Sequence, residues 1–440
     1  MPLWQPIPPP GRISGVRVGL PYGRGVLEPE LPDSATVLTP RNARPLADPE
    51  EAVRRALARP LESPPLEELA RGARRACVVI SDVTRPVPNT LLLPPIVETL
   101  ERAGVARRDV TILIGTGLHR PATPDEVLAL VGPEIAETCP VASHRARDAS
   151  SLVAAARAAD GFEVRLGRAY VEADVRILTG FVEPHLFAGY SGGGKAVLPS
   201  IADAASILRN HSARNLAHPA ATWCVTQGNP VFEEMRDVAL QSRPSFLVNV
   251  TLDASRRLTG VFAGDLVAAH DAAIELAARQ ALCPVPHEFD VVVVTNMGYP
   301  ADLNLYQSVK GLSVAARAVR TGGAIVLVAE CAEGLGGPEY VDLLRRERSP
   351  HALLDRIVRH RAAVIDQWQV QAQTMAQRKA AVYLHSALSR RDVLDAHLIP
   401  CDDVTATVAS LVAQTETAFG REARVLVLPH GQLTVPVVSA

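Results

Sequence analysis

The chain has 440 residues, with 45 Lys+Arg against 47 Asp+Glu and a net charge of -2. That balance leaves no basic footprint for nucleic acid or an anionic membrane surface. A hydrophobic fraction of 48% with 21% charged residues excludes global disorder, and the length suggests two or three domains.

Short apolar runs alternate with longer amphipathic stretches, the signature of an α/β fold. Residues 17–22 and the following GVLEPEL read as short strands, and 49–59 as a helix. ACVVI (76–80) is a buried strand that ends at Ser81-Asp82. LLLPPIVETLERAG is a helix stopped by Gly104, and DVTILIGTG a buried strand ending at Gly115-Thr116-Gly117. TPDEVLALVG is a short helix with Thr123 as N-cap and Pro124 at its first position. ADVRILTG (173–180) is a third strand, followed by the glycine-rich FVEPHLFAGYSGGGKAVLPS. IADAASILRNHS and GNPVFEEMRDVALQS are helical. PSFLVNVTLD and RLTGVFAGD are strands, LVAAHDAAIELAARQAL is a long helix, and 282–288 reads as a linker.

A second series follows: strand DVVVVTN, helix LYQSVKGLSVAARAV, strand GGAIVLVAE, and a helical stretch from 341 to 360 broken at Pro350. VYLHSAL reads as a strand, DVTATVASLVAQTETAF as a helix, and RVLVLP and LTVPVV as closing strands. These elements imply a first α/β domain over 1–280, rejoined by 415–440, and a second α/β domain over 285–410. Apart from the Pro-rich first ten residues there is no low-complexity tract, and there is no internal repeat.

No apolar run approaches the roughly 18 residues of a membrane helix. The amino terminus lacks the charged and apolar regions of a secretory signal. The six cysteines stand far apart with no C-x-x-C, which fits a reducing cytoplasm rather than a disulfide scaffold or thiolate zinc site.

The chain contains only three lysines, Lys195, Lys310 and Lys379. Where arginine serves as the general cation, a retained lysine points to a task needing an amine or a compact charge. Lys379 has no such context and reads as solvent-facing. Three strands end in polar turns, ISDVTRP, IGTGLHRP and LTGFVEPH. Ligands of open parallel sheets bind at such ends, so Asp82, Thr84, Arg85, His119 and His185 can meet in one crevice. Residues 189–195 satisfy G-x-x-x-x-G-K, but Ala196 stands where a phosphate loop needs Ser or Thr, and Pro199 interrupts the expected helix. His211, near the end of a short helix, suits either a helix C-terminus or a metal. No second chelating residue accompanies it, so any metal needs other ligands. Gln307 and Lys310 share one helix face after strand DVVVVTN and suit a carboxylate with an adjacent hydroxyl.

Taken together, S-D-x-T-R-P, T-G-x-H-R, P-H-x-x-A-G-x-S-G-G-x-K, a histidine sixteen residues on and Y-Q-x-x-K resemble the nickel-pincer lactate racemase family. The resemblance runs from residue 17 to the terminal strands. It implies two α/β domains with an interdomain active-site cleft, and a nickel pyridinium-3,5-bisthiocarboxylic acid mononucleotide made by separate cofactor-synthesis proteins. On this likeness Lys195 carries the cofactor covalently and His211 binds nickel. His119 and His185 are the acid/base pair, and Arg85, Gln307 and Lys310 hold the substrate. Asp82, Thr84, Arg85, Ser191, Gly192, Gly193 and Tyr306 surround the cofactor, with Asp82 and Thr84 anchoring it or orienting Arg85. The glycines let the cofactor come close. The implied reaction is racemisation or epimerisation at C2 of a 2-hydroxy acid by hydride transfer. Substrate choice falls to 297–303 or 334–340. A non-catalytic binding protein and a phosphate-dependent transferase are the competing readings.

Overall fold

The computed structural model describes residues 15–41, 44–360 and 363–439. The Pro-rich first ten residues lie outside the described residues. The chain divides into two units: residues 42–280 form one, and residues 1–41 with 281–440 form the other.

In the 42–280 unit a six-stranded sheet runs in the order Leu258–Gly264, Phe246–Leu252, Val175–Phe181, Ala76–Ser81, Val110–Gly115, Val141–Ser143. All neighbours are parallel except the first pair. Strands buried on both faces need continuous apolar runs, and Val78, Ile80, Ile112, Ile114 and Ile177 pack into one core with Leu92, Leu93 and Ile96 of the helix Asn89–Arg102. From Ala76–Ser81 the chain builds outward to Val110–Gly115 and Val141–Ser143, then crosses back to place Val175–Phe181 on the opposite flank. The crevice between Ala76–Ser81 and Val175–Phe181 is therefore the switch point of this sheet, where its ligands are expected. Thr123 caps the helix Pro124–Val131 in a full capping box with Glu126, as its sequence pattern requires.

The second unit holds an all-parallel sheet in the order Ile399–Pro400, Ala381–His385, Val319–Val328, Phe289–Thr295, Val425–Leu428, Thr36–Val37. Its switch point lies between Phe289–Thr295 and Val425–Leu428.

Three sequence expectations change here. Residues 1–41 and the closing strands belong with the second unit, not the first. Thr36–Val37 pairs with Val425–Leu428, which pairs with Phe289–Thr295. Such long-range pairing has no local sequence pattern. The 282–288 segment begins as a strand, Leu282–Val285, alongside Val435–Val438. Lys379 ends an unanticipated helix, Gln367–Lys379, and is not turned to solvent: its Nζ donates to Glu288 Oε1 and to the carbonyl of Ala316, both at 3.0 Å.

Candidate active site

Two strand ends of the first sheet meet through Asp82. This carboxylate follows Ala76–Ser81 and is buried. Oδ1 accepts from the backbone N–H (3.1 Å) and hydroxyl (2.6 Å) of Thr84, and Oδ2 lies 2.6 Å from His119 Nδ1. Burial alone would raise its pKa, but the bonds from His119 and Thr84 prevail, and the carboxyl is held below its ordinary value. Asp82 thus spends both oxygens on Thr84 and His119 rather than on orienting Arg85, whose own bond runs from Nη1 to the Thr84 carbonyl at 3.4 Å. A carboxylate at Nδ1 places the neutral imidazole's proton there and leaves a lone pair at Nε2. The His119 side chain is 53% exposed, so that lone pair is reachable.

The third strand end carries the glycine-rich segment. Gly189–Tyr190 folds back on Pro184–His185 as a two-residue hairpin, and Gly193–Ala196 forms a short 3-10 turn bearing Lys195. Ser191 fastens the segment, its hydroxyl donating to the Phe181 carbonyl (2.8 Å) and accepting from the Glu183 N–H (2.9 Å). The glycines are required by the protein interior. A Cβ on Gly193 would lie 2.0 Å from the His270 ring, one on Gly192 2.7 Å from Asn249 Oδ1, and one on Gly194 2.6 Å from the Met235 carbonyl. Packing therefore replaces close cofactor approach as the physical reason for these glycines. The turn is tied to the His119 loop as well: Ser200 donates its hydroxyl to the Lys195 carbonyl (2.6 Å) and accepts the Gly117 N–H at its own carbonyl (2.9 Å).

His185, Lys195 and His211 gather around Phe187. The His185 and His211 rings meet it edge-on at 4.6 and 5.1 Å, and Lys195 Nζ stands 5.9 Å from its centroid. His185 Nδ1 accepts from the backbone N–H of Phe187 (3.5 Å) and Ala188 (3.2 Å), so the neutral ring carries its proton on Nε2. His211 is the C-cap residue of Ala204–Asn210 and is buried. Burial, with the Lys195 charge adding to it, drops its pKa to about 3. It is therefore a neutral imidazole at working pH, the form that binds metals.

In the second unit, Tyr306, Gln307 and Lys310 lie on the helix Leu305–Ala315, capped by Asn304 through the Gln307 N–H. Tyr306 is held on several sides. Its hydroxyl accepts from Trp368 Nε1 at 3.1 Å, its carbonyl from Gln369 Nε2 at 2.7 Å, and its ring meets Tyr340 edge-on at 5.4 Å. Residues 334–340 serve as its backing: Tyr306 N–H donates to the Leu335 carbonyl, and Gly336 lies against its Cβ. Asn296, at the end of Phe289–Thr295, donates to the Gln307 carbonyl at 3.1 Å and accepts the Gly311 N–H at 3.0 Å.

Asn249 and His270 emerge only from the structure. Asn249 Oδ1 accepts the Gly193 N–H at 2.9 Å, and His270 Nε2 donates to the Ser191 carbonyl at 2.9 Å. Both belong to ordinary apolar elements with no motif around them, and only their contact with the glycine turn marks them.

Among the described residues no group of three or more His, Cys, Asp or Glu is placed to hold a metal. A buried neutral imidazole and one primary amine around the same phenyl ring fit a metal group that brings most of its own donors and attaches through an amine.

Two α/β units, with imidazoles and an amine at one sheet's switch point, place groups able to exchange protons where a small molecule is expected to bind. Residues 22–224 match the lactate racemase N-terminal domain, and residues 285–437 the lactate racemase C-terminal domain. The lactate racemase of Thermoanaerobacterium thermosaccharolyticum is 31% identical over 422 residues, 94% of this chain and 97% of that protein. The lactate racemase of Lactiplantibacillus plantarum is 32% identical over 425 residues, 94% and 98% of the two chains. The apoprotein structure of the T. thermosaccharolyticum enzyme superposes with a TM-score of 0.89 at 30% identity, covering 96% of this chain and all of that one. A Thermotoga maritima protein at 16% identity shares the fold, with a TM-score of 0.62. The chain belongs to the lactate racemase family, a family of isomerases. No helix among the described residues is long and apolar enough to cross a membrane.

Proposed function

We propose that this protein inverts the C2 centre of a small 2-hydroxy acid, lactate or a close relative, with a nickel-pincer nucleotide attached at Lys195. The observation that carries this reading is the gathering of His185, Lys195 and His211 around Phe187, with the backbone of the His119 loop tied to the Lys195 turn through Ser200 and His119 paired with Asp82. When bound, the nucleotide supplies a hydride acceptor and the sulfur and carbon donors that complete nickel coordination.

The chain's residues do the rest. Lys195 offers, beside His185 and His211, a primary amine that can form the covalent attachment, which a guanidinium cannot. His211 gives nickel its protein ligand. Ser191, Gly192 and Gly193 act by seating Lys195, and Thr84 and Tyr306 complete the cofactor's surroundings. Arg85, Gln307 and Lys310 hold the substrate, with Arg85 and Lys310 on its carboxylate. His119 takes the hydroxyl proton at Nε2 while the C2 hydrogen leaves with its electron pair, giving a 2-keto acid. Asp82 stabilises the imidazolium so formed. His185 addresses the oxygen in its other position. Hydride delivered to the opposite face of the planar keto carbon, with a histidine giving a proton to oxygen, would yield the other enantiomer. Loss of the C2 hydrogen as a proton would instead place a second negative charge beside the carboxylate, which disfavours that route.

The test is co-expression with the cofactor-synthesis proteins, followed by intact mass, nickel content and a screen of single-enantiomer 2-hydroxy acids in heavy water. An adduct on Lys195, with inversion and no deuterium at C2, is the expected outcome. A loaded protein that incorporates deuterium at C2 overturns the hydride route, and a protein carrying neither adduct nor nickel overturns the cofactor assignment.

A further inference from the structure

Two carboxylates in the 1–41/281–440 unit have no counter-charge. Asp302 lies in the loop after Phe289–Thr295 and is 1% exposed. Oδ2 accepts the backbone N–H of Gly23 at 2.7 Å and of Glu330 at 3.1 Å. Oδ1 is fully buried and meets no hydrogen-bond donor among the described residues.

Glu330 comes two residues after Val319–Val328 and is half-buried. Its carboxylate occupies the space beside Gly23, where a Cβ would lie 2.1 Å from Oε2. One glycine is therefore gripped from two sides, by Asp302 at its N–H and by Glu330 at its Cα. Gly23 has φ of +53°, so both the space and the backbone favour glycine there.

Neither carboxylate forms an ion pair among the described residues. Arg24, the adjacent cation, lies over the Tyr299 ring at 3.7 Å instead. Two neighbouring acids face these carboxylates. The Tyr22 phenol is pushed up by burial and then by Glu330, Cys331 and Asp302, and the buried Cys331 thiol reaches about 12 by burial, with Asp302 and Glu330 adding to it. His385, whose ring lies 5.5 Å from that of Tyr22, has its Nδ1 on the Cys401 carbonyl at 2.9 Å.

An ionised carboxylate with a buried free oxygen is strongly disfavoured unless a cation meets it. The place is the carboxyl edge of a parallel sheet, where ligands of such sheets bind.

We propose that Asp302 and Glu330 form a site for a hard divalent cation of the calcium and magnesium class. Two carboxylates supply two negative charges and oxygen donors alone, the donor set that class prefers. The half-buried Glu330 gives the ion a route from solvent. The bound ion ties the hairpin Leu20–Leu27 and the end of Val319–Val328 to the loop that leads into Tyr306 and Gln307. Asp302 lies in the 297–303 segment considered for substrate choice, but the site uses none of the catalytic, cofactor-holding or substrate-holding residues of the proposed function, so the two readings stand or fall separately.

The experiment uses the full chain freed of metal by chelator, titrated with terbium as a calcium surrogate under excitation of the aromatic residues. Tyr22 is the antenna at the site. Saturable sensitised emission is expected, displaced by calcium or magnesium, and the relative displacement distinguishes the two ions. Calcium at saturation should raise the melting temperature by about 2–4 °C. Asp302→Asn and Glu330→Gln should each weaken terbium binding about tenfold or more. Should Asp302→Asn fail to fold, Glu330→Gln, at a half-exposed position, carries the test. Absence of emission from the wild-type chain, or emission and melting shift unchanged in Glu330→Gln, overturns the site.

Discussion

At the carboxyl edge of the first sheet, three imidazoles and an amine are held by burial, one carboxylate and backbone N–H groups. At the corresponding edge of the second, a phenol, an amide and an ammonium group are backed by a glutamine-rich helix. The imidazoles of the first set sit in three different environments: His119 on Asp82, His185 on Phe187 and Ala188 N–H groups, and His211 buried beside Lys195. In the proposed reading, Gln307 and Lys310 of the second set hold the substrate rather than exchange its proton. Each set has its own supporting layer.

The division is tested most severely at His119. His119→Gln should lower kcat about 10³-fold with little change in KM, since it removes the reachable base. Asp82→Asn should cost less, about tenfold to 10²-fold, because the ring loses the carboxylate that orients it at Nδ1. Equal losses in both variants would mean that Asp82 does more than position the ring.

A smaller effect is expected in stability. Burial, opposed in part by the bond to the Ser191 carbonyl, drops the pKa of His270 to about 4. Its folded value lies below the unfolded value of 6.5, so the unfolded chain binds the extra proton first. The associated stability is complete above pH 6.5 and is lost as pH falls toward 4, by about 3 kcal/mol. His270→Gln keeps a donor for Ser191 and should flatten that part of the stability profile, measured by denaturant titration from pH 7 to 4.

The least effect belongs to the second edge. Gln369→Leu removes the bond to the Tyr306 carbonyl and should cost about 1 kcal/mol of stability. It should act on KM more than on kcat if Tyr306 and Gln307 only grip.

Much of this was legible from residues in order. The strand ends at Asp82, His119 and His185 stood out because polar tripeptides close apolar runs, and Thr123-Pro124 marked a helix start by its chemistry alone. What could not be read is what depends on distant partners. Asp82 gives no local sign that it faces His119 rather than Arg85. The glycines at 192–194 invite a ligand-based explanation until Asn249, His270 and Met235 are seen behind them. The helix Gln367–Lys379 escapes a hydropathy reading because Gln369, Gln371 and Gln373 are buried while polar. Their burial is sustained by hydrogen bonds such as that from Gln373 to the Ala396 carbonyl at 2.8 Å.

Among the described residues, the strand Thr36–Val37 finds its one sheet neighbour in Val425–Leu428. During synthesis that neighbour emerges roughly 390 residues later, which at about 5–20 residues per second is a delay of some tens of seconds. Residues 42–280 can complete their own sheet within that interval. The amino-terminal strand therefore waits on the ribosome for a distant part of the chain, and the discontinuous unit closes only after residues 425–428 have been made.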